Sequence, residues 1–236
     1  MYSADFADIY EPLYQHRGKD WAHEAEQVVA IVRERAPGAH SLLDVACGTG
    51  THLQTFAREL DHVEGLEIAE AMRAVARRRL PGVEIHAGDM RDFGLGPRFD
   101  AVTCMFNSIA YVADVAELRS TLACMARHLT PGGVLVIEPW WFPERFLEGH
   151  LTSDAGQVAG RAIARVSHLT RAGRRSRLEA RFLVGGPEGI KEFTHVHNLM
   201  LFTKAEYLSA LRDAGVTAEF LEPGLTGRGL FVGVRN

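Results

Sequence analysis

An apolar strand that ends in an acid and a glycine turn constrains this chain more than any other segment. It reads Leu-Leu-Asp-Val-Ala-Cys-Gly-Thr-Gly over residues 42–50, and a helix-forming sequence follows from Thr51. Glycine has no Cβ and tolerates positive φ, so such a turn brings backbone close to a ligand at a helix N-terminus. We therefore expect a ligand site at this turn.

The glycine spacing separates the possible ligands. A dinucleotide site needs G-x-G-x-x-G, whereas Gly48 and Gly50 are followed here by Leu53 at the third position. The phosphate-binding pattern G-x-x-x-x-G-K-[ST] is absent from the sequence. Asp44 favours a ligand with a cation or hydroxyl groups. S-adenosylmethionine has an ammonium, a sulfonium and a ribose, and no phosphate.

Two more acids stand where apolar stretches end, Glu67 after the second and Asp89 after the third. A carboxylate at the tip of the second strand suits two ribose hydroxyls. An acid at the third can accept a hydrogen bond from an adenine amino group, and Met90 can cover the ring. Each acid alone could equally be a helix cap or a turn residue. Together with Asp44 they predict one adenosine-binding edge.

Strand and helix patterns alternate along the first part of the chain. We predict helices at 20–36, 51–60, 69–79 and 114–129, and strands at 41–45, 62–66, 83–86, 99–105 and 133–137. This alternation is typical of parallel βαβ units, whose ligands bind beyond the carboxyl ends of the strands.

The rhythm changes after Pro139. We predict three β-rich stretches without helices between them at 160–169, 176–184 and 190–202, then a helix at 203–214 and strands at 216–221 and 229–234. We therefore expect a single domain over 1–236. Its core would be 1–138 and 203–236, and residues 139–202 would form an antiparallel insertion that roofs the active site, joins subunits, or does both.

Composition excludes several classes of function. A net charge of −4 over 236 residues gives no basic footprint for nucleic acid. No apolar run reaches the ~20 residues that span a bilayer, and the first residues do not read as a signal peptide. The three cysteines, at 47, 104 and 124, form no CxxC pair. We expect a cytoplasmic protein with no metal site and no nucleic-acid or membrane partner.

Four segments together resemble one family. They are residues 43–53, 88–93, 138–143 (Glu-Pro-Trp-Trp-Phe-Pro) and 227–233 (Gly-Arg-Gly-Leu-Phe-Val-Gly). The chain resembles the class I methyltransferases that use S-adenosylmethionine. Within them it resembles the N,N-dimethyltransferases of TDP-linked amino sugars, such as the desosamine and mycaminose enzymes. The resemblance implies a doubly wound α/β fold with a mostly parallel seven-stranded sheet, an inserted antiparallel subsheet, S-adenosylmethionine as cofactor and a TDP-amino sugar as substrate.

The resemblance adds cofactor contacts to the acidic edge. It implies that Tyr10 closes over the cofactor and that the segment starting at Met105 lines the methyl group. Arg17 could reach the methionine carboxylate, although by itself it is a solvated charge. The predicted cofactor contacts are Tyr10, Arg17, Asp44, Ala46, Gly48, Glu67, Asp89, Met90 and Met105.

A TDP-sugar also needs a partner for its pyrophosphate. Arg228 lies between two glycines, and its planar guanidinium suits phosphate oxygens. The resemblance singles out Arg165 with Ser167, and implies that Tyr2 contacts the sugar nucleotide. Trp140 and Trp141 either stack on thymine or sugar, or anchor the insertion. The predicted substrate contacts are Tyr2, Trp21 (where the family usually has tyrosine), Trp141, Arg165, Ser167 and Arg228.

The predicted catalytic residue is Tyr111, where the resembling family often has histidine. A phenol with a pKa of ~10 is a poor base at neutral pH. We therefore expect Tyr111 to orient the amine by accepting a hydrogen bond, while water removes the proton. His195 and His197 share a face of a predicted strand, and no third metal ligand is evident near them. For this pair we expect a structural or interface role.

Four functions stay open on the sequence. The leading one is N-methylation of a TDP-amino sugar, once or twice, by a homodimer. The second keeps the cofactor but methylates another small-molecule amine or hydroxyl. A binding module without turnover and a nicotinamide oxidoreductase are the others, disfavoured respectively by the three acids and by Leu53.

Overall fold

The structure is a computed structural model that describes residues 4–96 and 98–236. Its helices are α1 (Ala4–His16), α2 (Trp21–Arg35), α3 (Thr51–Glu59), α4 (Glu70–Arg79), α5 (Val115–Arg127) and α6 (Lys204–Asp213). Its strands are β1 (Ser41–Val45), β2 (His62–Glu67), β3 (Glu84–Ala87), β4 (Phe99–Cys104), β5 (Leu129–Ile137), β6 (Leu151–Val158), β7 (Arg161–Ala172), β8 (Arg175–Gly186), β9 (Gly189–Met200), β10 (Val216–Leu221) and β11 (Leu230–Arg235). Short 3-10 turns lie at Ser108–Tyr111 and Pro143–Arg145.

Seven strands form the main sheet in the order β10-β11-β5-β4-β1-β2-β3. The pairs among β5, β4, β1, β2 and β3 are parallel, whereas β11 runs antiparallel to both β5 and β10. The predicted class, a doubly wound and mostly parallel seven-stranded sheet, is confirmed. The ends of β1, β2 and β3 lie side by side, which brings the three predicted acids to one edge.

Helices cover both faces of this sheet. Alternation along β1 sends Leu42 into the core shared with α2 and α3, and Leu43 and Val45 into the core shared with α5 and α6. All three side chains are fully buried. Among the described residues, no helix is both long and apolar enough to cross a bilayer.

Polar caps fix where two of the helices begin. The Asp20 side chain accepts from the backbone of His23 at 3.0 Å, so α2 starts at Trp21. Thr203 and Glu206 form a reciprocal capping box at the start of α6, directly after the inserted sheet. Each such cap contributes about 1 kcal/mol. The two caps therefore mark the points at which the chain enters and re-enters the helical layers.

The inserted sheet has four strands, in the order β6-β7-β8-β9, and all its pairs are antiparallel. The prediction of three strands was therefore incomplete, because it omitted β6. The inward residues of β6 are Thr152, Asp154, Gly156 and Val158, of which only the last has a large apolar side chain, so the strand shows no apolar alternation. Gly156 lies against the ring of His16 in α1, and a Cβ there would come within 2.4 Å of that ring unless the histidine moved.

Candidate active site

Two cavities lie next to each other beyond the carboxyl ends of the parallel strands. The smaller, of about 350 Å³, follows the ends of β1, β2 and β3. The larger, of about 530 Å³, lies between α1, the segment after β5 and the inserted sheet. Among the described residues, three aromatic side chains line both: Tyr10, Phe106 and Tyr111. We call the place where these three meet the junction.

The turn after β1 brings backbone to the wall of the smaller cavity. Ala46 and Gly48 both line it, and both have a φ of 59°. This left-handed region is natural for glycine but unusual for alanine. A Cβ placed on Gly48 would meet nothing within 4 Å. The glycine therefore leaves room for a ligand to approach the backbone, as the sequence predicts.

Glu67 closes the same wall from the end of β2. One carboxylate oxygen accepts from the backbone N–H of Gly48 at 3.0 Å, and the other accepts from Ala69 at 2.7 Å. Burial raises the pKa of this carboxyl, and the amide hydrogen bonds oppose the rise. A carboxylate has about four acceptor sites, so ribose hydroxyls can bind the same group.

Asp89 and Met90 line the smaller cavity after β3. The Asp89 carboxylate is held by the Arg91 guanidinium, with Arg91 Nε 3.0 Å from each of its oxygens. These hydrogen bonds lower the pKa of Asp89, which stays ionised and half-buried. Met90 packs against the core with one side of its chain. An anionic acceptor beside an apolar wall matches what an adenine ring needs.

Asp44 and Met105 lie below the cavity walls. Asp44 is 1% exposed and lines neither cavity; it accepts from Thr103 Oγ1 at 2.7 Å. Burial raises the pKa of Asp44 to about 6. Met105 belongs to the core that contains Leu53 and Val134. Neither predicted contact therefore lines a cavity, and both side chains are buried.

Cations concentrate in the larger cavity. Among the described residues, its basic side chains are Arg17, Lys19, Arg165 and Arg228. Lys19, which the sequence did not single out, binds the Glu24 carboxylate at 2.6 Å and lies over the ring of Phe106 at 4.0 Å. Burial lowers the pKa of Lys19. The excess of positive charge suits a ligand that carries several anionic oxygens.

Arg165 projects from β7 into this cavity and is only 5% exposed. Its guanidinium donates to Thr152 Oγ1 at 3.0 Å and to Asp154 at 3.1 Å. Ser167, two residues on and on the same face, bonds Thr152 at 2.6 Å. Arg17 reaches the same Asp154 at 3.5 Å. Arg17 therefore lines the larger cavity, away from Glu67, with which the sequence grouped it.

Arg228 lies across the cavity between a carboxylate and two indoles. Its Nη2 is 3.2 Å from an oxygen of Glu138, and its guanidinium carbon lies 5.6 Å from the Trp140 ring and 5.7 Å from the Trp141 ring. Its Nε is buried without a hydrogen-bond partner. A buried donor without a hydrogen bond lowers the stability of the folded state by about 1–3 kcal/mol.

Glu138 is a site residue whose role the sequence did not reveal. It is fully buried, and one of its oxygens accepts from Thr226 and Arg228. The other oxygen accepts from the backbone N–H of Phe106 at 2.7 Å. Phe106 and Asn107 both have positive φ, 51° and 65°. Glu138 therefore holds a strained turn at the junction and an arginine at the opposite wall.

The three tryptophans have different surroundings. Trp140 is buried and donates from its indole to Ser176 Oγ at 3.0 Å, so it anchors the inserted sheet. Trp141 lines the larger cavity. Trp21 is buried against Tyr10, Tyr14 and Phe106, behind the junction. Trp140 lines the larger cavity too, so it combines anchoring with a place in the cavity wall, and stacking on thymine or sugar stays a prediction.

Tyr111 is bonded to His197. Its hydroxyl forms a hydrogen bond with Nδ1 of His197, which projects from β9 of the inserted sheet. Burial lowers the pKa of His197 to about 3, with His195 and Arg165 adding to the effect. The sequence placed His195 and His197 on one face but gave no sign of this contact. Tyr2, the remaining predicted contact, lies outside the described residues.

Comparisons with known proteins bear on this site. A methyltransferase-domain family model matches residues 42–133. The chain is 52% identical over 236 residues to a dTDP-4-amino-2,3,4,6-tetradeoxy-D-glucose N,N-dimethyltransferase of Saccharopolyspora spinosa, covering 100% of this chain and 95% of that one. It is 51% identical to a dTDP-3-amino-3,4,6-trideoxy-alpha-D-glucopyranose N,N-dimethyltransferase of Streptomyces venezuelae, covering 99% of each.

A solved structure gives the same result. SAM-bound CalS10 is an amino pentose methyltransferase from Micromonospora echinaspora involved in calicheamicin biosynthesis. It is similar to this chain with a TM-score of 0.90 and 54% identity, covering 97% of each chain. The match extends over both sheets and is far above what a shared fold alone requires. The chain belongs to the S-adenosylmethionine-dependent N,N-dimethyltransferases of dTDP-linked amino sugars.

Proposed function

We propose that this enzyme methylates the amine of a dTDP-linked amino deoxysugar twice, in the biosynthesis of a natural-product glycoside. The observation that carries the proposal is the pair of cavities: one has acids at strand ends, the other is rich in cations, and both open on the same three aromatic residues. An adenosine-bearing methyl donor fits the first, and a diphosphate-bearing acceptor fits the second. The reaction then takes place at the junction.

The smaller cavity has the donor set that S-adenosylmethionine needs. Glu67 would accept from the ribose hydroxyls and Asp89 from the adenine amino group, with Met90 on the ring face. Gly48 offers backbone where a Cβ would otherwise stand, and Ala46 lines the same wall. Tyr10 would cover the cofactor at the junction. Asp44 and Met105 would support this cavity from the buried core, and Arg17 would have to reach the methionine carboxylate from the larger cavity.

When bound, the cofactor supplies a methyl carbon whose bond to sulfur breaks as its bond to the amine nitrogen forms. The chain has to present that nitrogen with its lone pair free, which requires a neutral amine. Arg17, Lys19, Arg165 and Arg228 surround the acceptor cavity, and nearby positive charge lowers the pKa of an amine. The same cations hold the diphosphate and so fix the sugar at the junction.

The acceptor's anchors lie at the far wall from the junction. Arg228 has an unused Nε donor and would bind a diphosphate oxygen. Arg165 would take a second oxygen, with Ser167 beside it. Trp141 would stack on the thymine or the sugar. Trp21 stiffens the aromatic wall behind Tyr10 and Phe106.

The test is mass spectrometry of the products formed from a panel of dTDP-3-amino and dTDP-4-amino sugars. We expect one member to gain two methyl groups in place of two hydrogens, through a monomethylated intermediate. The relatives include both 3-amino and 4-amino enzymes, so the panel also identifies the amine position. Turnover of a free amine or phenol, with no reaction of any nucleotide-linked amine, would favour the second candidate function.

We further propose that the enzyme is a cytoplasmic homodimer joined through the outer face of the inserted sheet. Val166 on β7 and Leu183 on β8 are 57% and 49% exposed on this face, and Leu151 on β6 adds to the patch. Val166→Glu should shift the protein from dimer to monomer in light scattering after gel filtration. Leu147→Glu, at an exposed leucine outside the sheet, is the matched control. A wild-type monomer would refute the dimer.

A further inference from the structure

The hydrogen bond between Tyr111 and His197 joins the two sheets at the junction. Tyr111 ends the 3-10 turn after β4 and lines both cavities. His197 lies on β9 of the inserted sheet, is 8% exposed, and lines the acceptor cavity. Its Nδ1 meets the Tyr111 hydroxyl. The insertion therefore brings an imidazole into hydrogen-bond contact with the Tyr111 hydroxyl at the junction.

The protonation states limit what this pair can do. Burial, with His195 and Arg165 nearby, lowers the pKa of His197 to about 3, so the imidazole is neutral at pH 7. A neutral imidazole has one donor nitrogen and one acceptor nitrogen. A phenol keeps its proton at this pH, since its ordinary pKa is ~10. One proton therefore lies between the Tyr111 oxygen and His197 Nδ1. The atom to which it is covalently bound is the donor, and the other atom is the acceptor.

The direction of this bond matters for an amine nucleophile. If the Tyr111 O–H donated to the amine, it would occupy the nitrogen lone pair that has to attack the methyl carbon. If the O–H donates to His197, the phenol oxygen presents only lone pairs to the amine of the sugar. An amine N–H can then donate to that oxygen, and its own lone pair stays free.

We propose that Nδ1 of His197 accepts the Tyr111 hydroxyl proton and thereby sets Tyr111 as an acceptor for the substrate N–H. His197 is a positioning residue that acts through Tyr111. This assignment rests on the proposed function, because it needs an amine at the junction. No proton changes owner within the pair, and the proton that the methylated amine gives up leaves to water.

The arrangement accounts for two methyl transfers and no third. A primary amine has an N–H for Tyr111 and a lone pair for the methyl carbon. A secondary amine, after one transfer, still has one of each. A tertiary amine has no N–H, so it loses the hydrogen bond that orients it. The dimethylated sugar therefore cannot be positioned for a third round.

The test uses substitutions that differ in the acceptor atom alone. In His197→Asn the Oδ1 atom occupies the bond position of Nδ1 and can accept the phenol proton. In His197→Leu the side chain at position 197 has no acceptor atom. We expect His197→Leu to lower kcat by about 10- to 100-fold with both the primary and the monomethylated amino sugar, since misplaced reactants cost that much. His197→Asn should recover most of the wild-type kcat.

Two further measurements separate positioning from structure. Tyr111→Phe should lower kcat to a similar extent, and the double variant His197→Leu/Tyr111→Phe should be no slower than Tyr111→Phe alone. The affinity for S-adenosylmethionine, measured by calorimetry, should stay within about twofold of wild type, because neither variant removes a strand-end acid.

The assignment fails if the losses of the two single variants multiply in the double variant, or if His197→Asn is as slow as His197→Leu. It also fails if Tyr111→Phe keeps full kcat. These outcomes require a wild-type enzyme that turns over an amino sugar. A wild-type enzyme that methylates none of them overturns the proposed function itself, and this assignment with it.

Discussion

The carboxylate of Glu67 lies 3.0 Å from the backbone nitrogen of Gly48 and accepts its hydrogen bond. Its second oxygen holds the amide of Ala69. One side chain thus ties the end of β2 to the glycine turn after β1 and to the start of α4. The same carboxylate faces the smaller cavity. Loss of the Glu67 carboxylate should therefore disturb the glycine turn and weaken binding of the cofactor.

Glu67→Gln should weaken S-adenosylmethionine binding by about 10- to 100-fold, because hydrogen bonds to a charged group contribute ~1.5–3 kcal/mol. The amide nitrogen of glutamine cannot accept from Gly48, Ala69 or a ribose hydroxyl. Calorimetric titration measures the change. Glu84→Gln, at an exposed acid on the neighbouring β3, is the control and should bind like wild type. Equal affinities for all three proteins would remove Glu67 from the site.

Arg228→Ala should raise the KM for the dTDP-amino sugar by about 100-fold, since it removes the guanidinium N–H groups that donate to the diphosphate. Arg228→Lys should fall between, because it keeps the charge and loses the guanidinium. The affinity for S-adenosylmethionine should not change. Arg212→Ala, at an exposed arginine in α6, is the matched control. An unchanged KM in Arg228→Ala would place the diphosphate elsewhere.

Asp44→Asn should stabilise the cofactor-free protein at pH 7. Burial raises the pKa of Asp44 from 3.8 to about 6. Between pH 4 and pH 6 the folded chain therefore holds a proton that the unfolded chain has released. Stability falls as pH rises through this window, by about 3 kcal/mol in total. Asparagine can still accept from Thr103 and carries no charge. Urea unfolding should show a difference at pH 7 that vanishes near pH 4.

His197 has the opposite pH dependence. Its pKa is lowered from 6.5 to about 3, chiefly by burial. As pH falls from 7 to 5, His197 becomes protonated in the unfolded chain but stays neutral in the folded chain. The folded state therefore loses about 2 kcal/mol relative to the unfolded state. His197→Asn should reduce the pH 7 to pH 5 loss by this amount in urea unfolding. Parallel curves for both proteins would contradict the buried neutral imidazole.

Sequence patterns predicted the main sheet well because its strands are buried on both faces and its helices carry a 3.6-residue period. Strand β6 escaped because its inward side chains face a cavity and a histidine ring instead of an apolar core. Thr152 lines the acceptor cavity, Asp154 pairs with Arg165, and Gly156 lies against His16. A strand that contributes to a polar site loses the alternation by which strands are recognised.

The position of Glu67 and Asp89 in one cavity was predictable, because each of them follows the end of a strand along the chain. The site was not predictable where two distant segments meet. Tyr111 and His197 are 86 residues apart, and Glu138 and Arg228 are 90 apart. Nothing local in either segment indicates its partner. For the same reason the sequence did not indicate that Arg17 lies beside Arg165 and Asp154, and its contact with the cofactor stays a prediction.

Glu138 connects the far wall of the larger cavity to the junction. Its two oxygens hold Arg228 at one wall and the backbone of Phe106 at the junction. A diphosphate bound to Arg228, as proposed above, would share that guanidinium with Glu138, the same carboxylate that holds the Phe106 turn. On this proposal the nucleotide carrier would influence the Phe106 turn as well as hold the sugar. On this proposal, Glu138 is the first residue to vary when the enzyme is adapted to sugars on another carrier. A sugar amine without a diphosphate would make no contact with Arg228 and would not affect Glu138.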